Sequence, residues 1–337
     1  MKRREKDVLT MPEPRFSIVV TCFNQEAYIQ QAVDSALAQG PHVKEVIVVD
    51  DASTDGSLTV LSSYGESIRL ISFSKNQGCI AARNEGAARA QGEYIMFLDG
   101  DDILAPWTVR IYERLIAERR PRIIIANPLF FKGAEPVPGD EPLAIEFVEY
   151  DRLIDKDRPR PIYPSFALQR KMFEDIGRWT PGIFHLDLDD ICMKMAGVGP
   201  TLMVCAPYTF YYRVHEGNSI NQVAPFVAML RLIIRKTKTG QYPESATLNF
   251  RRYAWLGTVV RHWAKRARQD GLYKEFIQLA AAGWIPVLVS AIDKAIGMRS
   301  RRVPTEMVAF KVPARKRGSA DMPSSAEREA TATLLKT

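Results

Sequence analysis

The sequence predicts an α/β fold in which a mostly parallel sheet is covered by helices on both faces. Short apolar runs rich in Val and Ile alternate with stretches whose apolar residues recur at helical spacing. Near-continuous apolar strands that alternate with helices are typical of a parallel sheet with both faces buried. The strands are expected at residues 16–21, 45–50, 69–72, 93–98 and 122–126.

Helices are expected between these strands, and the pattern changes further along the chain. The first helix, over residues 26–39, ends at Gly40-Pro41, a pair that stops a helix. The other elements are expected as helices at 57–64, 78–91 and 107–119, a proline-rich irregular segment at 128–165, strands at 201–206 and 209–212, and helices from about 223. The expected domains are a disordered lead-in (1–14), an α/β domain (15–222), a helical C-terminal region (223–298) and a basic, disordered tail (299–337).

Composition and charge exclude some classes of protein. Hydrophobic residues make up 46% and charged residues 25% of the chain, as in ordinary globular proteins, and the net charge is +7. Much of the positive excess lies after Arg231, whereas the N-terminal half contains clustered acids. This asymmetry argues against a main domain that binds nucleic acid through its phosphates.

Cysteine usage and the apolar stretches predict a cytoplasmic location. The cysteines are far apart and form no C-x-x-C pair: Cys22, Cys79, Cys192 and Cys205. We therefore expect neither a zinc site nor a disulfide framework. No apolar segment of a secretory signal precedes Pro12. The longest apolar stretch, 276–292, is short for a bilayer span, so no transmembrane helix is expected.

Polar side chains follow the predicted strands at their carboxyl ends, where open α/β sheets bind ligands. The sharpest signal is Phe97-Leu-Asp-Gly-Asp-Asp102, in which a strand leads directly into three carboxylates. Packed carboxylates repel each other, and a hard cation such as Mg²⁺ relieves that repulsion. The alternative is an acidic turn that caps the helix after Pro106.

A second acidic cluster, Val48-Val-Asp-Asp-Ala-Ser-Thr-Asp55, follows the second strand. An acid at this position can accept a hydrogen bond from a nucleoside, which is the role expected for Asp51. The alternative is a turn followed by a helix cap, and we assign Asp55 to that capping role.

Four segments in this order resemble the motifs of the inverting glycosyltransferase family 2. They are Val20-Thr-Cys-Phe-Asn24, Val49-Asp-Asp-Ala-Ser-Thr-Asp55, Gly78-Cys-Ile-Ala-Ala-Arg-Asn84 and Gly92-Glu-Tyr-Ile-Met-Phe-Leu-Asp-Gly-Asp-Asp102. The resemblance covers roughly residues 16–215 and implies the Rossmann-like GT-A fold, with a helical region after it. It also implies a bacterial enzyme of surface-polysaccharide type.

The resemblance implies roles for individual residues. Thr21 and Asn24 would border the nucleotide pocket, and Asp51 would contact the uracil or an equivalent base. Arg83 would lie near the donor and Asp99 near the ribose or sugar. The resemblance also implies a divalent metal, Mg²⁺ or Mn²⁺, that offsets charge on the departing diphosphate. Its ligands would be Asp101 and His215, which lies in the late Arg-x-His segment. A structural role is the alternative for this histidine.

Inverting transfer needs a general base that deprotonates the acceptor hydroxyl. In the family this is the Asp of a Glu-Asp pair that opens a helix, and the corresponding stretch is His185-Leu-Asp-Leu-Asp-Asp-Ile-Cys-Met-Lys194. When this stretch is aligned with the family's segment at its carboxyl end, the family's Asp falls at Leu188. Lys194 then replaces the usual Arg. The base is therefore Asp187 or Asp189, which flank that position, or the cluster only caps the helix.

The sequence thus predicts a metal-dependent inverting glycosyltransferase that moves one sugar from a nucleotide-diphosphate sugar, of UDP type, to a hydroxyl acceptor. The acceptor would be a saccharide or lipid-linked saccharide in polysaccharide or glycolipid assembly. Asp175-Ile-Gly-Arg-Trp179 lacks the Gln of the Gln-x-x-Arg-Trp motif of processive synthases. The glycine-rich loops of nucleotidyltransferases, dinucleotide oxidoreductases and P-loop NTPases are absent after the first strand. The alternative is a non-catalytic nucleotide-sugar-binding or scaffold protein.

The C-terminal helices contain basic residues interleaved with Trp, as in Arg251-Arg-Tyr-Ala-Trp255 and Arg261-His-Trp-Ala-Lys-Arg266. Such a pattern suits peripheral contact with an anionic membrane, at the inner face of the cell membrane. The equally weighted alternative is a helical subdomain that packs on the main domain with a solvated basic face.

Overall fold

The computed structural model describes most of the chain between residues 16 and 309. The described residues are 16–139, 142–150, 166–184, 186–196, 198–215, 223–243, 246–295 and 306–309. The predictions for residues 1–14 and for most of the tail lie outside them.

The helices and strands alternate over the first half of the chain, and the last third is helical. The strands are β1 (Phe16–Cys22), β2 (Val43–Asp50), β3 (Arg69–Ser72), β4 (Tyr94–Asp99), β5 (Ile103–Leu104), β6 (Ile123–Ala126), β7 (Pro128–Phe131), β8 (Ala144–Tyr150), β9 (Phe166–Gln169), β10 (Thr201–Ala206), β11 (Phe210–Arg213) and β12 (Glu306–Ala309). The helices are α1 (Ile29–Leu37), α2 (Ser57–Ser62), α3 (Cys79–Arg89), α4 (Thr108–Arg119), α5 (Arg170–Asp175), α6 (Asp187–Met195), α7 (Val223–Lys238), α8 (Ala246–Gln269) and α9 (Tyr273–Ala295).

The main sheet has nine strands in the order β12-β8-β10-β6-β9-β4-β1-β2-β3. Only β8 and β9 run against the others, because both pair antiparallel with their neighbours. The remaining strands share one direction, which confirms the mostly parallel sheet. The carboxyl ends of β1, β2 and β4 therefore meet at one edge, which we call the mouth of the sheet.

Two segments expected to lack regular structure contain strands. Residues 128–165 include β7 and β8, because apolar residues alternate after the prolines and place Ile145 and Phe147 in the core. Within the predicted disordered tail, β12 pairs with the outer edge of β8, where backbone groups are available, and Glu306 forms an ion pair with Arg119. Both expectations were wrong for these strands.

A smaller sheet, β5-β11-β7, lies beside the mouth. Strand β5 follows directly after the acidic turn that ends β4, and β11 pairs with it antiparallel. Residues after β11 are thereby returned to the acidic turn, although they are more than a hundred positions later in the sequence. This second sheet is what places His215 near Asp101.

Apolar residues pack on both faces of the main sheet. Along β1, Ile18 and Val20 contribute to one core and Val19 contributes to the other, as the alternation of strand side chains requires. A third apolar core joins α6 to the C-terminal helices α7, α8 and α9. Helices α8 and α9 approach closely, since a Cβ on Gly257 would lie 2.2 Å from the Pro286 carbonyl oxygen.

Helix α9 is longer than the apolar stretch seen in the sequence. It runs for 23 residues and is long and apolar enough to cross a membrane by length and composition. One side of this helix, however, packs on α7 and α8, and that side includes the buried polar residues Ser290 and Asp293. Length and composition alone do not distinguish a span from a surface helix.

Candidate active site

The mouth of the sheet brings Thr21 and Asp99 side by side, because they are register partners on β1 and β4. The Thr21 hydroxyl donates to the Asp99 carboxylate at 3.2 Å. The next residue, Gly100, donates its N–H to the Thr21 carbonyl at 2.9 Å. A Cβ at Gly100 would lie 2.8 Å from that carbonyl and 2.2 Å from the Gln25 amide oxygen, so the turn between the acids accommodates only glycine.

Arg83 bridges two carboxylates that come from different elements. Its side chain is buried on α3, and one guanidinium nitrogen donates to both oxygens of Asp99, at 2.7 and 3.1 Å. The other terminal nitrogen forms a short contact with Asp187 on α6. The guanidinium also lies 5.5 Å from the centre of the Trp179 ring. A planar, permanently charged group suits this bidentate position better than lysine would.

Asp187 is the first residue of α6, where the helix dipole favours a negative charge. Burial raises the pKa of Asp187 to about 6; the Arg83 guanidinium opposes that rise and the Asp99 carboxylate adds to it. A carboxyl group with this pKa accepts a proton more readily than an ordinary aspartate near neutral pH.

The two base candidates lie on different faces of α6. Two residues correspond to a rotation of roughly 200° about a helix axis, so Asp189 projects away from the face that carries Asp187. Asp187 contacts Arg83 in the mouth of the sheet, and both aspartates are partly exposed. Geometry therefore brings Asp187, and not Asp189, together with Asp99.

Asp101, two residues after Asp99, forms a pair with His215. The His215 Nε2 atom lies 3.0 Å from Asp101 Oδ2, and its ring is 5.2 Å from the Tyr28 ring, centre to centre. Burial, followed by the Asp99 charge, raises the pKa of Asp101, while the hydrogen bond with His215 opposes the rise.

The pair fits a divalent cation. Adjacent ligands of an octahedral ion at about 2.1 Å stand about 3 Å apart. The carboxylate and imidazole atoms, which are hydrogen-bonded to each other, are 3.0 Å apart. Among the described residues, no group of three or more His, Cys, Asp or Glu side chains could hold a metal. The chain would supply two ligands, and water and phosphate oxygens would supply the others, as is usual for Mg²⁺.

Asp102 connects the acidic turn that carries Asp101 to strand β11. It is almost fully buried and accepts a hydrogen bond from the Arg213 N–H at 2.9 Å, which ties the acidic turn to β11. Burial, with Asp101 and Asp99 adding to it, holds the pKa of Asp102 well above its usual range. The Arg213 side chain donates to the Asp101 carbonyl at 2.9 Å and lies over the Tyr28 and Phe131 rings.

The predicted nucleotide residues Asp51 and Asn24 lie in the loops after β2 and β1. The buried Asp51 carboxylate accepts N–H bonds from Gln77 at 2.6 Å and Gly78 at 2.7 Å, and so holds the start of α3. The Asn24 side-chain oxygen accepts from the Thr54 N–H at 2.8 Å. Both residues therefore hold neighbouring loops together at the edge of the mouth.

The capping role assigned to Asp55 agrees with its contacts. One carboxylate oxygen accepts from the Ser57 N–H at 3.0 Å, at the start of α2. The other oxygen accepts from the Glu26 N–H at 3.0 Å. These backbone bonds and the Ser57 hydroxyl outweigh the effect of burial and lower the pKa of Asp55.

Sequence reasoning missed the residues that support Arg83. Trp179 is buried against the Phe97 and Phe173 rings, and its backbone N–H and carbonyl are held by the Asn84 side chain, at 3.1 and 2.9 Å. In the sequence, the Arg178-Trp179 pair matches only part of a synthase motif. The order of residues does not reveal that Trp179 lies close to Arg83 of α3.

Solved structures identify the class of fold. The described chain resembles Staphylococcus aureus TarS 1-349 in complex with UDP-GlcNAc, with a TM-score of 0.62 and 19% identity, over 80% of this chain and 79% of that one. The same protein without ligand gives a TM-score of 0.62 at 17% identity, over 88% of this chain and 97% of that one. At these identities the likeness shows the fold: this is a GT-A-type sheet with helices after it.

The sequence comparisons point to glycosyltransferases. Residues 17–177 match the family model described as Glycosyl transferase family 2. It is 40% identical over 98 residues to an uncharacterized glycosyltransferase of Haemophilus influenzae, covering 28% of this chain and 39% of that protein. It is 39% identical over 97 residues to the putative teichuronic acid biosynthesis glycosyltransferase TuaG of Bacillus subtilis, covering 28% and 38%. The match thus spans about two fifths of each relative's length.

Proposed function

We propose that this chain transfers one sugar from a nucleotide-diphosphate sugar to a hydroxyl acceptor, with inversion at the anomeric carbon. The observation that carries the proposal is the Arg83 bridge, which holds Asp187 and Asp99 together at the mouth of the sheet, where Asp101 of the same acidic turn pairs with His215. An inverting transfer needs a base on one side of the sugar and a stabilised leaving group on the other.

In this proposal Asp187 is the general base and Asp189 is not. The acceptor oxygen attacks the anomeric carbon while its proton passes to an Asp187 oxygen. The bond from the anomeric carbon to the phosphate oxygen breaks, and its electron pair leaves with the nucleoside diphosphate. The pKa of about 6 leaves Asp187 deprotonated at neutral pH and still basic enough to accept the proton.

Asp101 and His215 would hold Mg²⁺ or Mn²⁺. A divalent cation there supplies charge neutralisation at the departing diphosphate. Thr21, Asn24, Asp51 and Asp99 would border the nucleotide and ribose, and Arg83 would hold Asp99 and Asp187 in place. These roles rest on the family resemblance together with the contacts described above.

The donor class and the pathway are part of the same proposal. TarS, which shares the fold, was solved with UDP-GlcNAc and with UDP, and this supports a UDP-sugar donor. TuaG is described as a teichuronic acid biosynthesis glycosyltransferase, which supports a saccharide or lipid-linked saccharide acceptor in the assembly of a cell-envelope polysaccharide. A peripheral contact with an anionic membrane would suit such an acceptor.

Paired variants on α6 test the proposal. Asp187→Asn should lower the turnover of a UDP-sugar panel with Mn²⁺ by about 10²–10⁴-fold, because the base is lost. Asp189→Asn, the same change two residues away on another face, should leave turnover within about threefold of wild type. The assay follows release of nucleoside diphosphate, and Asp101→Ala tests the metal ligand in parallel.

The outcomes separate the competing functions. If Asp189→Asn loses turnover and Asp187→Asn keeps its activity, then Asp189 is the base and the assignment to Asp187 is wrong. Donor binding in a thermal-shift assay with no turnover in any condition would instead support the non-catalytic nucleotide-sugar-binding protein.

A further inference from the structure

Helix α9 presents a continuous apolar face that no described part of the chain covers. Its large exposed side chains, with their exposed fractions, are Tyr273 (64%), Ile277 (64%), Trp284 (58%), Leu288 (51%) and Ile292 (40%). At about 100° per residue these positions fall within an arc of roughly 100°. The exposed residues Ala280, Ala281, Ala291 and Ala295 fall on the same side. The face extends for about 30 Å along the helix.

This face is anomalous for a surface helix. Elsewhere in the described residues large exposed apolar side chains are scattered, as at Phe23, Val137 and Phe184, whereas here five of them share one stripe. Exposed apolar patches of this extent mark interaction sites. The opposite side of α9 is packed, since Leu279, Gly283 and Pro286 are buried against neighbouring helices.

Positive charge borders the apolar face. Arg231 and Lys238 of α7 reach α9, donating to the Gln278 side chain at 2.7 Å and the Ala282 carbonyl at 3.0 Å. The exposed Lys274 and Lys294 lie near the two ends of the helix itself.

Acidic residues do not balance this charge. Residues 246–295 contain eight Lys and Arg, of which Arg252 is buried, against three Asp and Glu. Of these acids, Asp270 is paired with Arg266 and Asp293 is buried on the packed side. An apolar stripe with a Trp near its middle and cations at its borders is complementary to an anionic lipid surface.

We propose that the exposed face of α9 docks in the plane of an anionic membrane, with Trp284 and Leu288 inserted among the lipid headgroups. The helix lies on the bilayer and does not span it, because its other face packs on α7 and α8, where Ser290 accepts a hydrogen bond from Arg261 of α8 and Asp293 is buried. This surface is separate from the mouth of the sheet, so the proposal holds whatever sugar the chain transfers.

Vesicle flotation of the full chain tests the docking. Wild type should float with vesicles of phosphatidylglycerol and phosphatidylcholine at low salt, and flotation should fall with added salt and with phosphatidylcholine alone. Trp284→Glu/Leu288→Glu should lower the bound fraction about tenfold or more, because two apolar anchors become charged.

A matched control keeps the test specific. Val137→Glu/Leu143→Glu makes the same change at two exposed apolar positions in the main domain and should float like wild type. All the substituted side chains are exposed, so circular dichroism and melting temperature should stay unchanged in both variants. A milder variant, Trp284→Ala, should give an intermediate loss and adds no charge.

Each contrary result overturns the proposal. Wild type that stays unbound at low salt, or a Trp284→Glu/Leu288→Glu variant that floats like wild type, rules the surface out. Equal binding to neutral vesicles contradicts the role of the bordering cations. A wild-type dimer in light scattering that this variant converts to a monomer, without flotation, identifies the face as a contact between two copies instead.

Discussion

Two of the three carboxylates of helix α6, Asp187 and Asp190, lie three residues apart in opposite surroundings. Asp187 contacts Arg83 at the mouth of the sheet, where its side chain stays 17% exposed. Asp190 is 1% exposed and is enclosed by the C-terminal helices: it accepts hydrogen bonds from Lys236 Nζ and from the Tyr242 hydroxyl. The same residue type thus contacts Arg83 at the mouth of the sheet on one face and anchors the helix to the C-terminal region on the other.

The C-terminal helices hold α6 in place through buried polar contacts. Besides the contacts to Asp190, the fully buried Arg252 of α8 donates to the Met193 carbonyl on α6 at 3.1 Å. Residues beyond position 223 therefore hold the helix that presents Asp187. The family model ends at residue 177, so both the helix and its support lie outside the matched segment.

The largest expected effect is a loss of stability when the buried Asp190–Lys236 pair, the anchor of α6, is broken. Lys236→Met leaves the buried Asp190 charge without its closest cation and should lower the free energy of unfolding by about 3–5 kcal/mol. Lys171→Met, which breaks an exposed pair with Asp175, should cost only about 0–1 kcal/mol. Urea denaturation followed by circular dichroism measures both values.

Equal losses in these two variants would contradict the account, because the buried anchor would then be worth no more than a surface pair. The Lys194 amine, 3.7 Å from Asp190, is too distant to replace the direct bond. Burial also lowers the pKa of Lys194, which makes it a weaker substitute.

A smaller effect is expected at the acidic turn. Gly100→Ala should cost about 1–3 kcal/mol of folding free energy, because its Cβ would overlap the Thr21 carbonyl and the Gln25 and Ile29 side chains. Gly139→Ala, where no atom lies within 4 Å, should change stability by less than about 1 kcal/mol. Thermal unfolding compares them, and an undisturbed Gly100→Ala protein would show that the turn has room.

A further variant tests how Arg83 affects the pKa of Asp187 on α6. Arg83 lowers the pKa of Asp187, so Arg83→Met should raise that pKa above about 6 and move the pH dependence of transfer to higher pH by about 1–3 units. Arg89→Met, on the same helix but exposed and paired with Glu85, should leave the profile in place. A shift to lower pH would contradict the role given to Arg83.

Much of the mouth could be predicted from the sequence because its residues follow directly after strands. A strand ending at Asp99 or Asp50 fixes where its next side chain lies, so local pattern was sufficient for the acidic clusters. Asp187 and Asp189 could not be separated in this way. Which of them faces Arg83 depends on the rotation of α6, and packing against distant helices sets that rotation.

Long-range contacts account for the other misses. The bond between Asp190 and Lys236 joins residues 46 positions apart, and Trp179 meets Arg83 only after two helices pack on the sheet. Strands β8 and β12 pair across more than 150 residues, and single-strand patterns do not reveal such partners. The exposed face of α9 is likewise a property of how the helix packs, since its composition alone resembles a buried or spanning helix.

The most direct test of the central claim is the pH dependence of kcat/KM for the full chain with a UDP-sugar donor and Mn²⁺. A base must be deprotonated to act, so the rate should rise about tenfold per pH unit below the pKa and level off above about 6. Asp187→Asn should lose this rising limb along with most of its activity. A limb that persists unchanged in Asp187→Asn would contradict the assignment of Asp187 as the base.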